Sequence, residues 1–457
     1  MLFRSLVGKL LVLGFAAMAC AYLFALVSRT HDRWTATVAG LLFVLSPLVL
    51  ELSRQVMLEI PALAFMMAAI YHTVVHLETD RRLHLWIAAL ASAAAVLTRF
   101  DAAVIAPGML LVLWLRRDWR VAFRRETWLA LVAAGLVTLP VVWLTVTEFG
   151  AVHLSTIVAA DADRPLMRRM LAGALYYPTS LPDQVGWLVM VPAVLGAIVA
   201  LTSAKRRPQA APYLAMIAAT YLTFSAIDEK ISRHSLAWVP AVTALAAYAL
   251  SLTRGRWLAG RPFGAEMLVA VVLISTAAGS WQTPAPYVRG YAAAAEYVVS
   301  RTSASRFCLF DGFLDGDFTY QVRQRDPARK LWVLRGDKVF YASVINRGAG
   351  YTEFVKSDRE MEDVLFSYDP EYIVVESPQV GAFLPMAERL RTLLAANPKR
   401  FVLEERVPVE SNHPLFRHTT LLIYRSVLRN PSPKTTIELE MLTLGRRVGQ
   451  TPAVTPR

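Results

Sequence analysis

Cysteine is nearly absent. Only Cys20 and Cys308 occur in 457 residues, one inside an apolar run and the other in RFCLF, so neither a disulfide framework nor a cysteine-based metal site is available. No HExxH or CxxC occurs either, and the sequence calls for no metal and no required cofactor. Phosphate-cradling loops of the GxxxxGK[ST] or GxGxxG kind follow none of the strand patterns. Acidic charge is sparse, with 35 Asp and Glu against 48 Lys and Arg for a net charge of +13. That surplus can signal nucleic acid, but here the arginines cluster between apolar runs, as topology signals do, and nucleic acid is not an expected partner. There is no internal repeat and no matched pair of Gly/Pro-broken helices of the kind inverted-repeat transporters display. The stretch LVLGFAAMACAYLFALVSR is too long, and too poor in cleavage sites, to read as a signal peptide.

What the chain has is apolar length. It is 55% hydrophobic with a mean hydropathy of +0.41, and its apolar runs approach the length that crosses a bilayer. Set against the charge clusters, these runs predict about ten helices, near 6–27, 35–52, 60–77, 85–98, 101–115, 127–146, 186–203, 211–226, 234–253 and 264–280. The loops SRTHDRW, ETDRRLH, RRDWRVAFRRE, AKRRPQA and TRGRWLAGR carry 15 basic residues and read as cytoplasmic. The alternate set, SRQVMLE, TRFD, the stretch Thr147 to Val185 and IDEKISRH, reads as outer. After QTPAPYVRGY the pattern changes to helices mixed with the short strands RFCLF, KLWVL, EYIVV and TTLLIY. The expected fold is therefore an α-helical multi-span membrane protein with a C-terminal soluble α/β domain. Its parts are a transmembrane domain over 1–282, an extracytoplasmic α/β domain over 283–428 and a loosely ordered tail over 429–457.

Several charged residues fall in the outer loops. Glu59 precedes Pro61 at the start of a helix and reads as an exposed acid there, in a position where acids and proline are also favoured for structural reasons alone. Arg99 and Asp101 lie in LTRFDA, which a snorkelling arginine and a helix-start aspartate would explain equally. Lys230, Arg233 and His234 crowd DEKISRHSLAWVP at a helix start, where the dipole disfavours cations and a nearby anion would account for them. A carboxylate beside basic groups at the membrane surface suits chemistry on a lipid-linked phosphate: the acid takes or orients the acceptor proton while the cations hold the phosphate.

The order SPLVLELSRQVMLEIPALAF, AVLTRFDAAVIAPGMLLVLWLRR, LYYPTSLPDQVGWLVMVPAVLGAIVAL, KISRHSLAWVPAVTALAAYAL resembles the GT-C class of polyprenyl-phosphate-sugar-dependent glycosyltransferases, in the branch of aminoarabinose transferases and protein O-mannosyltransferases. The resemblance implies a catalytic role for Glu59 and donor-phosphate binding by Arg99, Lys230, Arg233 and His234. Asp101, Asp161, Asp163, Tyr176 and Tyr177 are candidates for the acceptor or substrate loop, although Asp161-Ala-Asp163 and Asp315-Gly-Asp317 are too short as D-x-D matches to suggest nucleotide binding. The implied donor is a polyprenyl-phosphate-linked sugar, the acceptor a glycan, lipid or protein, and the location the inner membrane, with direct displacement and inversion at the anomeric carbon. A lipid-linked-sugar flippase and a non-catalytic relative are the alternatives. The resembled family also keeps an acidic residue in a first outer loop that is not found here, and helix parity leads us to expect one further helix upstream. In the soluble domain, LFDGFLDGDFTYQVRQRDPARKLWVLRGDK concentrates glycines and charges after strand patterns, which fits ordinary turns and equally a binding loop.

Overall fold

The computed structural model describes residues 2–148, 166–226, 231–254, 264–282, 286–303, 306–342, 351–427, 429–434, 436–441 and 446–450. It divides into two compact units, Met1–Leu144 with Asp161–Ala285, and Thr145–Ala160 with Pro286–Arg457.

The first unit is helical. Its helices are α1 (Leu2–Thr30), α2 (Arg33–Leu45), α3 (Pro47–Ser53), α4 (Glu59–Thr79), α5 (Arg82–Thr98), α6 (Ile105–Arg116), α7 (Arg125–Glu148), α8 (Leu166–Val185), α9 (Trp187–Thr202), α10 (Arg207–Ser225), α11 (Val239–Thr253) and α12 (Gly264–Gln282). All ten anticipated segments are helical. The second is broken at Ser46–Pro47, where the residue before proline takes the extended conformation that proline imposes on it and the two pieces meet at 59°. The Leu45 carbonyl beside the break accepts from the Ser280 hydroxyl of α12. Helix α8 is a correction, because Thr147 to Val185 was read as one long outer loop. Its sequence LMRRMLAGALYYPTSLPDQV mixes arginines and prolines with apolar residues, so it shows no apolar run to detect.

Among the described residues, five helical segments are long and apolar enough to cross a membrane: Leu6–Thr30, Glu59–Thr79, Arg125–Thr145, Ser232–Thr253 and Gly264–Gln282. The bent α2–α3 pair makes a sixth, and α5 and α9 are apolar but shorter. The protein is thus a multi-pass membrane protein in which many helices fall short of a full span. Burial separates their roles: the apolar window of α4 is 78% buried and that of α7 only 6%, so α4 is central and α7 faces the surroundings. Gly196 of α9 marks the closest helix crossing, since a Cβ there would stand 2.2 Å from the Leu245 carbonyl oxygen of α11.

The second unit is a three-layer α/β/α domain. Strands β1 (Phe307–Asp311), β2 (Trp332–Arg335), β3 (Tyr372–Ser377), β4 (Phe401–Pro408) and β5 (Thr420–Ser426) form one sheet in the order β2-β1-β3-β5-β4. The pairs β1–β2 and β1–β3 are parallel, while β5 runs antiparallel to both β3 and β4. Alternate residues of β1 serve opposite cores. Phe307 and Leu309 pack with Met361 and Leu390 of α15 (Asp358–Tyr368) and α16 (Pro385–Ala396), whereas Cys308 and Phe310 pack with Val298 and Phe318 of α13 (Tyr291–Arg301) and α14 (Asp315–Arg325). The four strand patterns read from the sequence are all strands; β4 was not anticipated. The tail, expected to be loosely ordered, contains an antiparallel hairpin of Ile437–Met441 with Arg446–Gln450.

Candidate functional site

Glu59 stands in the first turn of α4, followed by Pro61, whose missing N–H falls where the helix has no internal acceptor for it. The expectation of an exposed acid is corrected: Glu59 is only 5% exposed. Burying a carboxylate requires a partner, and the chain supplies one by geometry. Helices α4 and α5 form an antiparallel hairpin turned by Asp80 and Arg81, so the residue that ends α5, Arg99, returns to the level at which α4 begins. Its guanidinium pairs with Glu59 and at the same time forks onto Asp101, with Nε 2.8 Å from Oδ1. Arg99 is therefore no snorkelling side chain. Asp101, a candidate for the acceptor or substrate loop, lies on the 3₁₀ turn Phe100–Val104 and holds Arg99 from there.

The second cation arrives on another element. Ser232–Trp238 is a 3₁₀ helix that leads into α11 and carries both Arg233 and His234. Arg233 reaches toward Glu59 at 3.8 Å, its side chain 40% exposed, and its Nε has no hydrogen-bond partner among the described residues. His234 lies against the Phe224 ring at 5.3 Å between centroids. These groups meet in one cleft of about 330 Å³, lined by Glu59, Arg99, Asp101, Arg233 and His234 together with apolar residues of α4 and the two 3₁₀ turns. Five of the residues singled out in the sequence thus come together. Lys230, Asp161 and Asp163 lie outside the described residues.

Tyr176 and Tyr177 are on helix α8 and not in a loop. Tyr177 is 1% exposed and packs edge-on to Trp238, while the Tyr176 hydroxyl is 3.4 Å from that of Ser232. Their part is to hold the 3₁₀ helix. Gln184, which the sequence reading missed, does the same more firmly: its Oε1 accepts from Ser235 Oγ at 3.0 Å and Trp238 Nε1 at 2.9 Å, and its Nε2 donates to Ser180 at 3.0 Å. A buried glutamine with each polar atom used fixes the segment that presents Arg233 and His234. Only the tryptophan in SRHSLAWVP hinted that a polar partner was needed.

An apolar groove of about 660 Å³ lies close along the chain to the cleft. Val104 of the 3₁₀ turn and Phe224 of α10 line the cleft; residues between Pro107 and Trp114 on α6 and between Ala219 and Thr223 on α10 line the groove together with Trp119. Charged cleft and apolar groove share α10, and the turn that lines the one leads into the helix that lines the other. A group that is anionic at one end and hydrocarbon along its length is the chemical shape they accommodate.

The fold resembles the crystal structure of ArnT from Cupriavidus metallidurans bound to undecaprenyl phosphate, with a TM-score of 0.60 at 13% identity over 93% of this chain and 85% of that one. The apo state of the same protein matches with a TM-score of 0.59 at 13% identity, covering 93% and 84%. The Archaeoglobus fulgidus oligosaccharyltransferase in complex with zinc and sulfate matches at 0.52 and 12% identity, over 81% of this chain and 56% of that one. By sequence, residues 7–144 match the family described as dolichyl-phosphate-mannose-protein mannosyltransferase. No curated protein sequence matches the chain.

Proposed function

We propose that the protein is a glycosyltransferase that moves a sugar from a polyprenyl-phosphate carrier to an acceptor on the outer side of the inner membrane. The observation that carries this reading is the cleft itself: a buried carboxylate held by one arginine, with a second arginine and a histidine beside it, and with α10 lining both the cleft and an apolar groove. The lipid tail occupies the groove and the phosphate sits at Arg233 and His234. ArnT, whose fold this chain resembles, was crystallised with undecaprenyl phosphate, which supports a donor of that class.

The donor's charge also gives Glu59 its moment of action. In the unliganded site its carboxylate is neutralised by Arg99. An incoming phosphate competes for the same guanidinium groups, loosening Glu59 so that it can accept the proton of the attacking hydroxyl while the arginines take up the charge that grows on the leaving phosphate. Displacement is direct and inverts the anomeric centre. The distribution of basic residues among the loops supports the outer face as the side of the reaction.

The test is reconstitution of the purified protein in liposomes with radiolabelled polyprenyl-phosphate sugars and membrane acceptor fractions. Labelled acceptor is the expected result. Absence of transfer together with movement of the labelled lipid between leaflets would replace the reading with a flippase, and full transfer by Glu59→Gln would remove Glu59 from the chemistry.

A further inference from the structure

The α/β domain holds a second cleft, built at the place where its topology opens. From β1 the chain passes through α14 to β2 on one side; from β3 it passes through α16 to β4 on the other. The parallel neighbours β1 and β3 therefore send their connections in opposite directions, which leaves a crevice beyond their carboxyl ends. The run of glycines and acids noted in the sequence ends up there. The cleft is open to solvent, and about 480 Å³ of free space lies within its walls and mouth.

Its lining is charged and ordered. Asp311, at the end of β1, accepts from Arg391 Nη1 at 2.8 Å and from the Tyr341 hydroxyl at 2.8 Å. Glu376, near the end of β3, accepts from the Phe313 backbone N–H at 2.9 Å and from the Tyr291 hydroxyl. Arg335, at the end of β2, pairs with both Asp315 and Asp337, and Asp337 also meets Lys338 Nζ at 3.0 Å. Gly312 and Gly336 make the arrangement possible, since a Cβ on either would stand 2.5 Å or 2.3 Å from the side chain of Glu376 or Asp311. Asp311 and Glu376 are almost wholly buried, while Asp315, Arg335 and Asp337 are partly open.

Four carboxylates and two guanidinium groups line the space. Carboxylates only accept hydrogen bonds, so the excess favours a ligand rich in O–H or N–H and disfavours a phosphate or any other anion. Glu376 is fully buried and held by Tyr291 and Phe313, so the carboxylates open to a ligand are Asp315 and Asp337. Arg391 is buried and spent on Asp311 and backbone carbonyls, so the partly open Arg335 is the guanidinium that can donate to hydroxyl and ring oxygens, while Phe313 offers apolar surface for the carbon face of a sugar.

We propose that the crevice at the carboxyl ends of β1, β2 and β3 binds a glycan residue that carries hydroxyl or amino groups and no acidic substituent. That this glycan belongs to the acceptor rests on the transferase reading; the binding itself does not. The test applies the purified full-length protein in detergent to a printed array of neutral, amino-substituted and acidic glycans, with thermal unfolding of each variant as the check on folding. Retention on neutral or amino-substituted glycans is expected, falling at least tenfold for Arg335→Ala and for Asp315→Asn, with Asp337→Asn in reserve should either fail to fold. Glu59→Gln should retain the same glycans. An array that holds no protein, retention only on acidic glycans, or retention that the cleft variants leave unchanged overturns the assignment. Retention that depends on the cleft in a protein without transfer activity removes the transferase reading and leaves this one standing.

Discussion

Two clefts in this chain are built from the same pair of side chains, carboxylate and guanidinium, and leave opposite valences unfilled. In the helical unit two carboxylates meet two guanidinium groups, but Glu59 and Asp101 are both taken by Arg99, and Arg233 keeps an Nε with no hydrogen-bond partner among the described residues, so a donor is left over. In the α/β unit acids are in excess, because four carboxylates line a cleft with two guanidinium groups and Lys338 adds a cation to Asp337 alone. The first cleft adjoins apolar helix surface and the second caps a parallel sheet. What an ion pair offers a ligand is thus decided by the partner left over, and the pairing itself says little.

The comparison can be broken most forcefully at Glu59. Glu59→Gln should lower transfer by about 10² to 10⁴, the usual contribution of a positioned general base, while donor binding persists. Single-turnover kinetics in liposomes measures this, and near wild-type turnover would make Glu59 a structural counter-ion, like Asp311. Removing its partner acts on the fold instead: Arg99→Met leaves a buried carboxylate with only the distant Arg233, a change that typically costs about 3–5 kcal/mol, and thermal unfolding in detergent should show it. Arg233→Ala separates binding from stability. Its loss should weaken polyprenyl phosphate binding by roughly 10- to 100-fold, the worth of a charge-assisted hydrogen bond, with little change in unfolding temperature because the side chain is 40% exposed. Equal loss of donor affinity and of stability would show that Arg233 belongs to the packing. The smallest effect sharpens the second cleft. Asp315 and Glu376 have raised pKa values through burial, so the folded domain holds protons that the unfolded chain has lost. Their contribution is therefore fully present below the ordinary carboxylate range and declines as pH rises through their raised values. Unfolding midpoints of the α/β domain should fall slightly over that window, and less so in Asp315→Asn.

The sequence made the helices legible where apolar length did the work, and the same signal failed where polarity was needed. Helix α8 escaped because Arg168, Pro178 and Pro182 interrupt its apolar residues, yet that polarity is what lets Gln184 anchor the 3₁₀ helix carrying Arg233 and His234. Candidate residues were found one by one through charge in an apolar context. Their mutual geometry was not accessible that way, since it depends on a helical hairpin closing and on a turn facing it. Glu59 read as an exposed acid for this reason: burial is a property of neighbours, and Arg99 is 40 positions away. In the α/β domain the alternating strands were visible, but a crevice produced by strand order was not, because order is set by pairings between distant segments.

The α4–α5 hairpin has a consequence for how the protein is made. Glu59 opens the hairpin and Arg99 closes it, at the same end and in contact. A helix released singly into lipid with Glu59 at its tip would carry an uncompensated charge at the edge of the hydrocarbon, which is costly. If the two helices leave the translocation machinery together, the two charges cancel before either meets the bilayer. The ion pair that closes the cleft in the finished protein would then also spare each helix a lone charge on its way into lipid.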